Sequence, residues 1–219
     1  VRRVTPYYAD EHVTLYHGDC RELLPSIEAD VVVTDPPYGV AWSQHGGGKM
    51  GVKCLPPIAN DTDTSARDAV LVLWAPRPAV VFGSFYAPPP AGVVQVLVHH
   101  KVPPAGVVGS TTGFRRDAEP VYLLGKWPLR NAHASSVLSS RVRLSALVEQ
   151  HPHGKPVDVL AALILAAPTG TILDPFAGSG TTLVAAKSLG RKAVGIEIDE
   201  RYCEVAANRC RQEVLGLAV

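Results

Sequence analysis

The 219-residue chain has no uninterrupted apolar run approaching the ~20 residues that a helix needs to cross a bilayer, which excludes a membrane-spanning helix. Val1-Arg2-Arg3 leads straight into polar residues, without the apolar core of a signal peptide. The four cysteines, Cys20, Cys54, Cys203 and Cys210, form no C-x-x-C pair and no dense framework. That spacing argues against a disulfide scaffold, and the expectation is a reducing, cytoplasmic setting. An excess of one charge is missing too. With 21 Lys plus Arg against 20 Asp plus Glu the net charge is +1, which excludes a protein that coats nucleic acid by bulk electrostatics. No internal repeat is apparent.

What is present suits an enzyme-sized core. With 47% hydrophobic and 19% charged residues, the chain is no disordered polymer. Its length fits one domain, below the ~250–300 residues at which single cores stop growing. The charge is unevenly spread: residues 1–100 carry a net −3, residues 101–155 a net +5, and residues 156–219 a net −1. The basic middle segment holds Lys101, Arg115, Arg116, Lys126, Arg130, Arg141, Arg143 and Lys155. It is either a solvated surface or the face that meets a polyanion.

Short β-branched runs bounded by turn signals predict strands at Val13–Tyr16, Val31–Thr34, Ala79–Phe82, Val93–Val98, Val121–Leu124, Thr171–Leu173 and Ala193–Ile196. Helical stretches lie between them at Ser65–Trp74, Pro156–Ala166, Thr181–Leu189 and Glu200–Leu215. Such alternation predicts an α/β fold with a mostly parallel sheet. Cys203 and Cys210, seven apart, fall on one helix face, where buried thiols are commoner than ligands. The stretch Gly39–Asp63, with three successive glycines and Pro56-Pro57, reads as a long loop, while Trp127–Gln150 has too little periodicity to assign.

Two motifs carry chemistry. The first runs Asp174-Pro175-Phe176-Ala177-Gly178-Ser179-Gly180-Thr181. It is a strand end, a glycine turn and a helix start, where backbone can approach a ligand and free N–H groups point outward. Glu197 ends the next strand, seventeen residues after Gly180. An acid in that place takes ribose hydroxyls in nucleotide-binding α/β folds, and the missing third glycine favours a single adenosine moiety over a dinucleotide. The second motif, Asp35-Pro36-Pro37-Tyr38, ends a buried strand. Two prolines remove two N–H donors, leaving carbonyls free. A planar exocyclic amine can give one N–H to Asp35 and another to a proline carbonyl while Tyr38 stacks on its ring.

Together the two motifs resemble those of the amino-methyltransferase family that modifies N6 of adenine or N4 of cytosine in DNA. Three further pieces agree: His17-Gly18-Asp19-Cys20, His151-Pro152-His153-Gly154-Lys155-Pro156, and Glu197-Ile198-Asp199. The catalytic half precedes the cofactor half, which is the family's β-class order. The resemblance implies a Rossmann-like, S-adenosyl-L-methionine-dependent methyltransferase fold with a mostly parallel seven-stranded sheet and helices on both faces. It implies one domain over residues 1–219, divided into a catalytic half at 13–125, a short recognition or linker region at 126–150 and a cofactor half at 151–219.

By the same resemblance, Asp35, Pro36, Pro37 and Tyr38 hold the target amine. Asp19, Lys155, Asp174, Phe176, Ala177, Gly178, Ser179, Gly180, Thr181 and Glu197 form the cofactor site. Lys101, Arg115, Arg116, Arg130, Arg141 and Arg143 are the candidates for DNA contact. No metal is implied, although His151 and His153 sit two apart. The implied reaction is direct in-line methyl transfer to a flipped base, with no cysteine nucleophile. An Asp at the head of the catalytic motif is commoner in adenine enzymes, since cytosine enzymes more often carry Ser there. N4-cytosine transfer, a non-catalytic DNA-binding module and an NAD-linked oxidoreductase are the alternatives. DNA is the expected partner; a homodimer and a separate restriction or specificity partner are further expectations drawn from the family.

Overall fold

The computed structural model describes residues 4–40, 59–101, 117–127, 134–140 and 155–212. In chain order the strands are Tyr8–Ala9 (β1), Val13–His17 (β2), Val31–Thr34 (β3), Ala79–Phe82 (β4), Val93–His100 (β5), Ala118–Leu124 (β6), Val137–Ser139 (β7), Ile172–Asp174 (β8) and Ala193–Glu197 (β9). The helices are Cys20–Leu23 (α1), Ser65–Trp74 (α2), Val157–Ala166 (α3), Thr181–Ser188 (α4) and Glu200–Arg211 (α5). One sheet takes the order β1-β2-β9-β8-β3-β4-β6-β5-β7. Strands β2, β9, β8, β3 and β4 are parallel neighbours, and β6 runs antiparallel between β4 and β5. The seven strands expected from the sequence are all there. The short β1 and β7 extend the edges by antiparallel pairing to β2 and parallel pairing to β5.

The valine runs explain the layering. Alternate strand side chains point to opposite faces. Val31 and Val33 therefore join Val13, Leu15, Val80 and Phe82 in a core closed by α3, α4 and α5, while Val32 joins Val81 and Leu173 in a second core with α1 and α2. All four β3 residues are buried, as in a strand covered on both sides. On α5, Cys203, Ala206, Ala207 and Cys210 recur at i, i+3, i+4 and i+7 and face the sheet. Burial pushes the thiols of Cys20 and Cys203 up to about 12 and that of Cys210 to about 11, so none is a ready nucleophile at neutral pH.

Several boundaries differ from the sequence reading, most of them by one residue. Strand β6 begins at Ala118, ahead of Pro120, where a proline reads as a strand break. Strand β5 continues through His99 and His100, and Pro156 stands one residue before α3 as its N-cap. Among the described residues no helix is long and apolar enough to cross a membrane.

Candidate active site at the carboxyl edge of the sheet

Because β2, β9, β8 and β3 run parallel side by side, the turns leaving them emerge along one edge. In order across the molecule these turns carry Asp19, Glu197, Phe176–Gly180 and Asp35–Tyr38. From β3 the chain winds by way of α2 toward β4; from β8 it winds by way of α4 in the opposite direction, toward β9. The gap between β3 and β8 is thus a topological switch point, where α/β sheets open a crevice. The two turns are joined beneath it. Thr34 donates its hydroxyl to Asp174 Oδ1 at 2.7 Å, and the same oxygen accepts the Phe176 N–H at 3.1 Å. Burial outweighs these bonds and raises the Asp174 carboxyl to about 6.

On the β8–β9 side, Glu197 Oε2 accepts the Gly178 N–H at 2.7 Å and Oε1 accepts the Asp199 N–H at 2.8 Å. Burial still raises the Glu197 carboxyl above its ordinary range. The Gly18 N–H donates to the Glu197 carbonyl at 2.9 Å, which brings Asp19 alongside. Asp19 caps α1 through the Arg21 N–H and pairs with the Arg21 guanidinium, which holds its carboxyl below the usual range. Gly180 has φ +79°, and a Cβ there would lie 2.8 Å from Ala206 Cβ. Gly178 has φ +50°, and a Cβ there would meet only the Phe176 carbonyl oxygen at 4.0 Å. The first glycine lets α4 and α5 approach; the second faces open space. Ala177 is buried and donates its N–H to the Ile196 carbonyl, and Phe176 is half-buried.

On the β3 side, Asp35 is flanked by donors. Tyr38 donates its hydroxyl to Asp35 Oδ1, and Lys155 Nζ lies 3.0 Å from Oδ2 and 2.9 Å from the Tyr38 oxygen. The ammonium also sits 5.4 Å from the Tyr38 ring centroid and 5.2 Å from that of Phe82. Burial works against the charge on Lys155, but the Asp35 and Glu119 carboxylates and the Tyr38 oxygen outweigh it and hold its pKa well above the ordinary value. Burial and the neighbouring Asp35 charge raise the Tyr38 hydroxyl well above 10, so it stays a donor. Pro36 is buried and Pro37 half-buried.

The family follows from comparison with known proteins. A profile of the DNA methylase family that groups N6 and N4 enzymes matches residues 99–208. The methylase YubD of Escherichia coli strain K12 is 30% identical over 203 residues, covering 88% of this chain and 87% of its own. The chain belongs to this family. It is a DNA methyltransferase, and its cofactor is S-adenosyl-L-methionine. The type II methyltransferase M.ScaI of Streptomyces caespitosus is 28% identical, over 97% of this chain and 86% of its own length. Among solved structures, M1.HpyAVI with its bound cofactor matches at a TM-score of 0.63 and 21% identity, over 91% of this chain and 100% of the other. The cytosine-N4-specific PvuII DNA methyltransferase matches at 0.63 and 16% identity, over 97% of this chain and 91% of its own. At those identities the likeness speaks for the fold.

The crevice of this methyltransferase fits that cofactor. The N-terminus of α4 has no side-chain cap, the space over Gly178 is open, and the buried Glu197 carboxylate, which takes backbone N–H groups from Gly178, Asp199 and Ile198, keeps lone-pair capacity for a hydroxyl. Sequence reasoning overlooked Arg209 on α5, which donates to the Ser179 carbonyl at 2.7 Å and to the Ser179 and Thr181 hydroxyls at 3.0 Å. It braces the glycine turn from behind, and no local motif announces it. Also overlooked were His99 and Glu119, which meet under Lys155; two histidines closing a strand were the available signal. Lys101, assigned to DNA by its charge, lies 2.8 Å from Glu119. Arg115, Arg116, Arg130, Arg141 and Arg143, as well as His151–Gly154 and Cys54, fall outside the described residues.

Proposed function

We propose that this methyltransferase acts on N6 of adenine in DNA, on a base flipped out of the duplex. The observation that carries the reading is Asp35 at the end of β3: a carboxylate oriented by Tyr38 and Lys155, beside the cofactor turn of β8. Each Asp35 oxygen takes one protein donor and keeps lone-pair capacity for an amine N–H. Pro36 and Pro37 lack N–H groups, so carbonyl acceptors beside Asp35 have no competing local donor. Acceptors on the amine hydrogens oppose delocalisation of its lone pair into the ring and keep that pair directed. The Tyr38 ring, its hydroxyl fixed at one end, offers a stacking surface that replaces part of what the base loses on leaving the duplex, about 1–3 kcal/mol.

Glu197 would hold the cofactor ribose hydroxyls, Asp19 would approach its adenine, and the turn Asp174–Thr181 would close around the remainder. The bound cofactor supplies an electrophilic methyl group for direct in-line transfer. The residues contribute alignment and electrostatics, for which proximity accounts for roughly 7–11 kcal/mol of barrier lowering. A catalytic half at 13–125 and a cofactor half at 151–219, joined by the linker region 126–150, complete the reading. An Asp rather than a Ser at position 35 favours adenine over cytosine.

Nucleoside analysis of DNA incubated with the protein and the cofactor tests the base. The expected product is N6-methyladenine; N4-methylcytosine as the sole product refutes the adenine assignment. Asp35→Ala is expected to abolish transfer with cofactor affinity nearly unchanged, and undiminished turnover removes Asp35 from its role.

A further inference from the structure

Behind Lys155 lies a group of ionisable side chains that the proposed roles leave unused. His99 and Glu119 stand opposite each other in the β5–β6 register. Their spacing of two from Leu97 and Val121 puts them on the face covered by α3. Their side chains are 2% and 5% exposed. A carboxylate so deep is costly unless paired and hydrogen-bonded. Glu119 receives His99 Nδ1 at 2.8 Å, Lys101 Nζ at 2.8 Å, and Lys155 Nζ at 3.3 Å from one oxygen and 3.5 Å from the other. Burial opposes its charge, but Lys155, His99 and Lys101 hold its carboxyl well below the usual range.

The remaining ring nitrogen, His99 Nε2, is buried with no hydrogen-bond partner among the described residues. An orphaned polar atom costs stability, so a histidine is a poor choice here for packing alone. Among the described residues its polar attachment is to Glu119. Glu119 in turn reaches the crevice through Lys155, which sits between two carboxylates.

We propose that Glu119, held by His99 and Lys101, is a positioning residue for methyl transfer: it shares the Lys155 ammonium with Asp35 and fixes its place, so that Lys155 orients Asp35 and Tyr38 and leaves each Asp35 oxygen a lone pair for the target amine. A lysine ammonium is a compact charge on a flexible four-carbon stem, so its position is set by whichever anions hold it. With Glu119 removed, Asp35 is the remaining carboxylate on Lys155 among the described residues, and the ammonium, no longer anchored on its far side, is free to shift across the Asp35 oxygens that the amine needs. The inference rests on the reading of Asp35 as acceptor of that amine.

The groups facing Lys155 are Asp35 and Tyr38 from the turn after β3, Phe82 from β4 and Glu119 from β6; His99 of β5 and Lys101, just beyond that strand, stand behind Glu119. Two carboxylates support its charge, so removing one moves its deprotonation to lower pH. Steady-state methylation of DNA by the full chain is measured with Glu119→Gln, His99→Leu and His99→Asn, together with cofactor affinity by calorimetry and thermal midpoints. Glu119→Gln is expected to lower kcat about 10²-fold, the scale of a misplaced reacting group, with cofactor Kd within about twofold. Its alkaline limb of activity shifts to lower pH. His99→Asn keeps an N–H donor near the Nδ1 position and retains most of the kcat that His99→Leu loses.

An unchanged kcat in Glu119→Gln overturns the proposal, as does a loss that follows cofactor affinity and melting with no shift of the alkaline limb. If Glu119→Gln does not fold, the histidine pair decides, and equal kcat in both variants overturns it. A wild-type chain that methylates no DNA refutes the Asp35 reading and this one with it, whereas an active wild type with an indifferent Glu119→Gln refutes this one alone.

Discussion

Asp174→Asn should make the protein more stable at alkaline pH, although the substitution alters the motif that opens the cofactor turn. Asp174 is 2% exposed, and burial raises its carboxyl from 3.8 to about 6. A carboxyl whose folded pKa lies above its unfolded value binds more protons folded than unfolded between those two values. Its favourable contribution is complete below pH 3.8 and is lost as pH rises through 6. Above that window the folded state carries a penalty of about 3 kcal/mol, two units at about 1.4 kcal/mol each. Asparagine removes the charge and keeps an oxygen for the Thr34 hydroxyl and the Phe176 N–H, both of which bond Oδ1. Its amide can donate to the Thr182 hydroxyl, which the carboxylate now engages as acceptor. For a chain of this size the gain corresponds to roughly 6–12 °C in the melting midpoint at pH 8. Scanning calorimetry of both proteins from pH 4 to pH 8 measures it. The difference should be greatest at pH 8 and close toward pH 4. A difference independent of pH, or a variant less stable at pH 8, refutes the reasoning.

The two glycines of the turn should fail in different ways. Gly180→Ala forces a left-handed residue, about 1–2 kcal/mol, and drives a Cβ to 2.8 Å from Ala206 Cβ, so thermal denaturation should show a loss above about 2 kcal/mol. Gly178→Ala carries only the left-handed backbone cost, about 1–2 kcal/mol, with no clash, so it should melt above Gly180→Ala while calorimetry shows weakened cofactor binding. Arg209→Met keeps the apolar stem but strips the donors from the Ser179 carbonyl and two hydroxyls. Leaving that carbonyl unpaired costs about 1–3 kcal/mol. The KM for the cofactor should rise, with kcat at saturation retained, in steady-state assays.

How far local pattern reaches is clear from particular elements. Val31–Thr34 is four β-branched residues followed by Asp-Pro-Pro, and a doubly covered strand ending in a turn is what forms. The face of α5 is legible from the spacing of Cys203, Ala206, Ala207 and Cys210. Pattern fails where signals conflict or are too short. Pro120 hides the first three residues of β6, and a two-residue strand such as β1 has no period to detect. Those same strand ends hold His99 and Glu119, so the error in boundaries was also the omission from the site.

The strands other than β1 and β7, the helices α2 to α5 and the two motif-bearing turns among them were determined by local sequence, since each depends on residues within a few positions of one another. Which turns stand side by side was decided by the sheet. Strand order β9-β8-β3-β4 sets Asp35 beside the glycine turn and Glu197 beyond it, and the β5–β6 register brings His99 to Glu119. The same fold carries Lys155, just ahead of the Pro156 cap of α3, to Asp35, Tyr38 and Glu119 at once. Those meetings join residues far apart in the chain, and only the burial of apolar faces against one another makes them.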